Sequence, residues 1–415
     1  MDNPAWRGIV GGMEQDVIIV GGGLNGPALA LALAQGGLRV TVVDARPAPV
    51  RAEAGFDGRA YALAIASKRL LGEIGVWERV ADLCQPILKI VASDGWPGTG
   101  ASPFFLTFDQ AEIEEGPMGF LLEDRFLYAG FQAAMAEVPA ITVLPGESVV
   151  AQGVGSVTLA SGLVLLARLV VGCDGRGSGT AARAGIRRVG WGYGQTALVT
   201  AVRHQMPHHG VAQQFFMPSG PLAILPLPGG QHSSIVWSET EENAAAIQAL
   251  PDGEYLAALR PRFGDFLGQI GLAGVRFSYP LSLSLAERFV APRVALVGDA
   301  AHGVHPLAGQ GLNLGLRDVG ALAQVLIEAR RRGEDIGAAA VLERYQSWRR
   351  FDVTAMALGM DVVNRLFSND NPVLRGVRDL GLGIFNAMPG LRRGFIRQAA
   401  GLTGDVPKLL AGRLP

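Results

Sequence analysis

One stretch constrains the fold more than any other: DVIIVGGGLNGPALALALAQGGLRVTVVDAR, residues 16–46. Asp16 to Val20 is a short apolar run suited to a buried strand. Gly21-Gly22-Gly23-Leu24-Asn25-Gly26 follows and fits GxGxxG. A helix is expected to about Gln35, stopped by Gly36 and Gly37. Pro27 falls in its first turn, where a missing N–H costs little. A second strand, Arg39 to Val43, ends in Asp44, 18 residues past Gly26. Each glycine then has a task. Gly21 permits the turn, Gly23 lets a pyrophosphate approach the helix N-terminus, and Gly26 lets helix and strand pack closely. Asp44 would accept hydrogen bonds from a ribose diol. An ordinary glycine-rich turn is the alternative, but strand, helix and acid at these spacings favour a dinucleotide site. A second glycine cluster, GIVGG at 8–12, has no helix after it, and residues 1–12 are expected to be either a dispensable extension or the result of a mis-set start.

Composition narrows the partners. The 415 residues suggest two domains or one composite domain, and a 49% hydrophobic content supports a large core. A net charge of −1 argues against nucleic acid as a partner. Two cysteines, Cys84 and Cys173, are too few for a disulfide framework and suit buried thiols in a reducing compartment. No apolar run is long enough for a membrane-spanning helix, and the first dozen residues lack the layout of a signal peptide.

Two further motifs carry chemistry. In LARLVVGCDGRGSGTAARAGI (166–186) a strand ends in Asp174-Gly175 and continues to Ser178. In VALVGDAAHGVHPLAGQGLNLGLRD (294–318) a strand ends in Gly298-Asp299, a turn runs from Pro306 to Gly311, and a helix starts near Leu312. Asp299, His302 and His305 raise the question of a metal. The two histidines flank a turn glycine with no Cys or Glu nearby, which argues against the closed or open tetrahedral geometry of zinc. The other reading is a loop whose glycines let backbone N–H groups face a flat anionic group, with His302 and His305 mainly structural.

These three motifs together resemble the FAD-dependent aromatic hydroxylases of the para-hydroxybenzoate hydroxylase type. The resemblance implies that the first motif (Gly21, Gly23, Gly26, Asp44) holds the ADP half of FAD. It places Asp174 by the FAD and the nicotinamide path, and Asp299 on the ribitol chain. It implies that Pro306, Gly309, Gly311, Leu312 and Asn313 form the loop against the flavin ring, Arg59 contacts the pyrophosphate, and Glu123 and Arg125 lie along the adenine-side phosphate. One departure is Ala181, where the family commonly has Arg; Arg183 is the substitute at hand. Within the group, Tyr193-x-Gln195, the run from Gln213 or Gln214 to Ala223, Leu225-Pro226-Leu227, Ser234-x-Val236-Trp237 and NRLFSNDNP (364–372) look specific to the ubiquinone-biosynthesis hydroxylases.

The expected fold is α/β: a Rossmann-like FAD-binding domain (13–95, 119–190, 275–345), an inserted, mostly antiparallel β-sheet substrate domain (96–118, 191–274) and a helical C-terminal tail (346–415). The resemblance implies a C4a-hydroperoxide on reduced FAD that hydroxylates a polyprenylated phenol. The required partners are O2 and NAD(P)H or another electron donor. A small soluble aromatic substrate and a non-catalytic assembly subunit are the alternatives. No catalytic residue is identified; Tyr193, His204, His208, His209 and His232 are the candidate bases. Residues 371–415 hold seven Lys/Arg against two Asp. Such a segment is expected to touch a membrane surface or a biosynthetic complex, or to pack on its own domain. The expected location is cytoplasmic, peripheral on the inner face of the membrane.

Overall fold

The computed structural model describes residues 14–47, 59–96, 100–304, 309–367 and 389–415. Residues 1–12, His305, Pro306 and the tail segment 368–388 lie outside them.

The chain crosses repeatedly between two sheets. β1 (Glu14–Val20), helix α1 (Asn25–Gln35) and β2 (Val40–Asp44) form the first crossover unit. Val17, Ile18 and Ile19 are fully buried, as a strand covered on both faces requires. A strand at Ala60–Leu63 and helix α2 (Ile65–Glu73) lead to β3 (Lys89–Trp96) and β4 (Gly100–Asp109) of the second sheet. Helix α3 (Asp124–Ala136), β5 (Ile141–Pro145), β6 (Val164–Gly172) and the short helix α4 (Gly179–Arg183) return to the first. β7 (Arg188–His204), β8 (Val211–Met217), β9 (Gly220–Leu227), β10 (His232–Thr240), helices α5 (Glu241–Ala249) and α6 (Asp252–Phe263), and β11 (Phe277–Ala286) build the second. β12 (Val294–Leu296) closes the first, and α7 (Gln310–Arg331), α8 (Ala339–Phe367) and α9 (Pro389–Ala399) follow.

In the first sheet the order β12-β6-β1-β2-β5 is parallel throughout. In the second, β11-β7-β10-β9-β8-β3-β4 is antiparallel except for β8 beside β3. This is the α/β architecture expected, with a mostly antiparallel second sheet and a helical C-terminal region. The expected segment limits differ from the strand pairing in two places. β3 and β11, placed with the first domain, are hydrogen-bonded in the second sheet. A strand's local pattern reports that it is half-buried, not which distant strand it pairs with.

Alternation along the second sheet creates two distinct faces. Leu198, Val202, Phe215, Ile224 and Trp237 pack under α6 through Tyr255, Leu259 and Phe263. Ala212, Gln214 and Phe216 turn the other way, toward the first sheet and a large cavity.

Candidate functional site

That cavity has a volume of about 1660 Å³, beyond the roughly 300–1,000 Å³ of a single drug-sized site. It starts at the glycine turn after β1. Gly21 has φ +112°, and a Cβ there would fall 2.4 Å from the Cys173 carbonyl oxygen. A Cβ on Gly26 would lie 2.0 Å from the Gly21 oxygen, so this glycine is fixed by packing. Gly23 is different: a Cβ there meets nothing within 4 Å, because the residue faces the cavity. The α1 N-terminus has no side-chain cap, so its first N–H groups remain for an anion. Asp44 borders the same space at the end of β2, its Oδ1 accepting the Arg46 N–H at 3.1 Å.

A second helix start opens onto the cavity. Gly309 caps α7 in the left-handed region (φ +63°) without a side-chain hydrogen bond. A Cβ on Gly311 meets nothing within 4 Å. Leu312 and Asn313 border the space too, but Asn313 is occupied structurally. Its Oδ1 accepts from the Ala64 N–H (2.9 Å) and Ser67 Oγ (2.7 Å), while Nδ2 donates to the Ala62 carbonyl (2.8 Å). The α7 start is thereby pinned to the segment before α2. Two uncapped, positive helix ends with open glycines fit a flavin dinucleotide: a pyrophosphate at α1 and the pyrimidine edge of the ring at α7.

Asp299 borders the cavity and pairs with Arg176, whose Nε donates to Oδ2 at 3.1 Å. Arg176 also donates to the Val304 carbonyl at 3.1 Å, and Arg188 holds the Asp299 carbonyl at 3.0 Å and that of Ala300. Neither arginine stood out in the sequence. The only signal was Arg176 directly after Asp-Gly. Replacing Asp299 with Ala is expected to weaken FAD binding ten- to hundredfold, by loss of one charge-assisted hydrogen bond worth about 1.5–3 kcal/mol. Fluorescence titration of apoprotein with FAD reads this directly.

Asp174 borders the cavity, but its own loop fills its carboxylate. Oδ1 accepts from Ser178 Oγ at 2.5 Å, and Oδ2 from the Thr180 N–H and Oγ1, both at 2.9 Å. Arg183 borders the cavity nearby, and its buried Nε has no hydrogen-bond partner among the described residues.

Arg59, Glu123 and Arg125, expected near the FAD phosphates, do not line this cavity. Arg125 Nε donates to Glu123 at 2.7 Å, and Arg59 lies 3.8 Å from Asp124 and over the Phe277 ring. Arg125 is thus paired locally, whereas Arg59, its side chain 45% exposed, stands beside an acid and a ring.

His302 is fully buried, with Nε2 2.5 Å from Asp318 Oδ2. Asp318 also accepts from Arg349 Nε at 2.7 Å and from the Gly298 N–H at 2.9 Å. Burial alone would raise the Asp318 pKa, but His302 and Arg349 hold it below the usual carboxylate range. No His/Cys/Asp/Glu group suited to a metal occurs among the described residues.

The proposed histidine bases lie elsewhere. His204 Nε2 contacts Ser233 Oγ at 3.0 Å and Nδ1 the Met206 carbonyl at 2.6 Å; His208 contacts the Leu227 carbonyl at 2.8 Å. Burial pushes both pKa values down. None of His204, His208, His209, His232 or Tyr193 lines the cavity. Tyr279 does, from β11, and was not anticipated. Burial raises its pKa, Arg176 opposing, so its phenol stays protonated at neutral pH. Cys84 and Cys173 are free thiols, and burial pushes both up, Cys84 to about 11, which keeps them unreactive.

The far half of the cavity is mostly apolar. Its floor is the inner face of the second sheet; Ala355 and Met356 of α8 and Phe395 and Ile396 of α9 complete it.

A parallel sheet with a dinucleotide cradle, joined through one cavity to an apolar antiparallel sheet, defines the flavoprotein monooxygenase class. The fold is shared with p-nitrophenol 4-monooxygenase PnpA of Pseudomonas putida (TM-score 0.79, 20% identity, 95% of this chain and 100% of that one). PqsL of P. aeruginosa, solved with 2-aminobenzoylacetate, gives a TM-score of 0.73 at 25% identity over 88% of this chain and 100% of that one. The FAD binding domain family matches residues 14–93 and 153–357. The chain is 45% identical to the ubiquinone hydroxylase UbiL of Rhodospirillum rubrum, over 99% of its own length and 96% of that protein's. It is 36% identical to the 3-demethoxyubiquinol 3-hydroxylase of Escherichia coli (93% and 98% covered). The chain therefore belongs to the ubiquinone-biosynthesis hydroxylase family of FAD-dependent monooxygenases.

Proposed function

We propose that this enzyme hydroxylates the aromatic ring of a polyprenylated phenol in ubiquinone biosynthesis. The carrying observation is the division of one cavity into a cradle for a dinucleotide and an apolar sheet face able to receive a prenyl tail. Bound FAD, reduced by NAD(P)H or another donor, supplies oxygen activation from O2. The protein's own residues bind and orient. The glycine turn, Asp44 and Asp299 hold the cofactor; the Gly309–Asn313 helix start supports negative charge on the ring; the apolar floor excludes water and holds the substrate. Such a division of labour needs no nucleophilic triad. The test is oxygen uptake with a short-chain prenylphenol, compared with hydroxylated product. Stoichiometric product supports the reading, whereas hydrogen peroxide without product rejects it.

The C-terminal region bears on how a bilayer-resident substrate is reached. No described helix is long and apolar enough to cross a membrane. Three of the tail's basic residues face acids of the same chain: Arg392 with Glu112 (3.0 Å), Arg397 with Glu115 (2.8 Å) and Lys408 with Glu328 (3.0 Å). The basic excess available to lipid is thus smaller than the sequence count. Exposed apolar residues favour a surface contact: Phe351 (83%) and Leu358 (49%), two turns apart on α8, and Phe395 (54%). A peripheral contact through this region should be only weakly salt-dependent. Sedimentation with anionic liposomes at low and high salt should pellet similar fractions, and Phe351→Asp should release the protein. No pelleting at either salt would reject membrane contact.

A further inference from the structure

The two central rows of the cavity floor hold one polar side chain between them. Main-chain pairing aligns Val236, Ala223, Gln214, Ala92 and Leu106 in a row across β10, β9, β8, β3 and β4. All five border the cavity. The adjoining row, Leu225, Ala212, Ile90 and Phe108, also borders it. Eight of these nine residues are apolar. Gln214 is the exception, and it has no hydrogen-bond partner among the described residues. Its neighbour Gln213 also borders the cavity, but by alternation its side chain leaves the strand on the side of Phe215 and Met217, which belong to the cluster under α6.

A partnerless amide in the middle of an apolar wall loses hydrogen bonds to water when a ligand covers it. The loss is offset only if the ligand brings a polar atom to that point. Contacts fix where the point lies. A Cβ on Gly309, at the start of α7, would be 3.0 Å from Ala62 Cβ, and Ala62 shares one apolar cluster with Ala212, Ile90 and Leu225. Gln214 follows Ala212 by two residues on the same face, about 7 Å along the strand. The amide is therefore one row removed from the helix start suited to the flavin ring, and apolar residues surround it where a tail would lie.

We propose that Gln214 is a specificity residue whose side-chain amide hydrogen-bonds an oxygen substituent on the aromatic ring and so sets the ring's orientation in the cavity. The assignment rests on the prenylated-phenol reading above. It predicts discrimination between a ring that carries oxygen and one that does not, because a site built around a polar group disfavours the analogue that leaves it unpaired.

The test uses FAD-loaded protein and two probes, 2-geranylphenol and geranylbenzene, with binding followed by perturbation of the flavin absorbance. Wild-type protein should bind the phenol roughly five- to tenfold more tightly. In Gln214→Met, of similar length and without the amide, the two affinities should converge, and geranylbenzene should bind at least as well as to wild type. FAD affinity and melting temperature should match wild type. A purely structural role for Gln214 would weaken both probes equally, and that result overturns the assignment. So does unchanged discrimination in the variant, or equal binding of both probes by wild type, which would leave the apolar tail site standing. Binding of neither probe by wild type removes the prenylphenol reading itself, and Gln214's assignment with it.

Discussion

Gly23→Val yields a folded, colourless protein. The position is open on its cavity side, so the added side-chain carbons start from a Cβ with no protein atom within 4 Å, unlike a Cβ on Gly21 or Gly26. They occupy instead the approach to the uncapped α1 N-terminus. Displacing a pyrophosphate from two charge-assisted hydrogen bonds costs about 3–6 kcal/mol, on the order of 10²–10⁴ in affinity. The expected result is a wild-type circular dichroism spectrum with no visible absorbance after purification and no saturation in an FAD titration. A yellow Gly23→Val protein with unchanged affinity would place the pyrophosphate elsewhere.

Asp318→Asn should be among the most destabilising single substitutions in the chain. The carboxylate is fully buried and serves His302, Arg349 and the Gly298 N–H together. Removing its charge leaves the 2%-exposed Arg349 side chain dependent on Asp352 alone among its described acidic partners. Breaking such a pair on one side costs about 3–5 kcal/mol, visible as a lower denaturation midpoint. Because the Gly298 N–H is one of the groups held, FAD affinity should fall as well. The pH dependence has a definite sign. Asp318 has a depressed folded-state pKa, so its stabilisation is complete above the unfolded carboxylate range, about pH 4, and is lost as pH falls through the lower folded value. Wild-type and Asp318→Asn stabilities should therefore converge in acid. A gap that stays constant from pH 7 to pH 3 would show that the carboxylate's charge is not the stabilising element.

The reach of sequence reasoning follows from the range of the interactions. The β1–α1–β2 unit was legible because a buried strand, a helix start and a turn glycine each leave a local mark within a few residues. The strand ends at Asp174 and Asp299 were legible for the same reason. The expectations for the charged residues depended on tertiary placement as well as on type. Arg59, Glu123 and Arg125 resemble phosphate-side residues in type and order; in the fold Arg125 pairs with Glu123, and Arg59 lies by Asp124 and Phe277, next in the chain to the cavity-lining Ala60. The histidines were flagged by type alone; the ring nitrogens of His204 and His208 prove to be committed to backbone groups and the Ser233 hydroxyl, and His209 and His232 do not line the cavity.

By itself the sequence determined the fold class, the FAD-binding character and the family. Periodicity and glycine spacing encode these over short distances. Only the tertiary structure decided that Arg176 reaches Asp299 across 123 positions, that β8 lies parallel to β3, and that Gln214 falls within two otherwise apolar rows of the cavity floor. These depend on which distant segments pair, and backbone hydrogen bonding between strands is nearly independent of side-chain identity. The polar residue that faces the substrate space is therefore set by register, which no local pattern records.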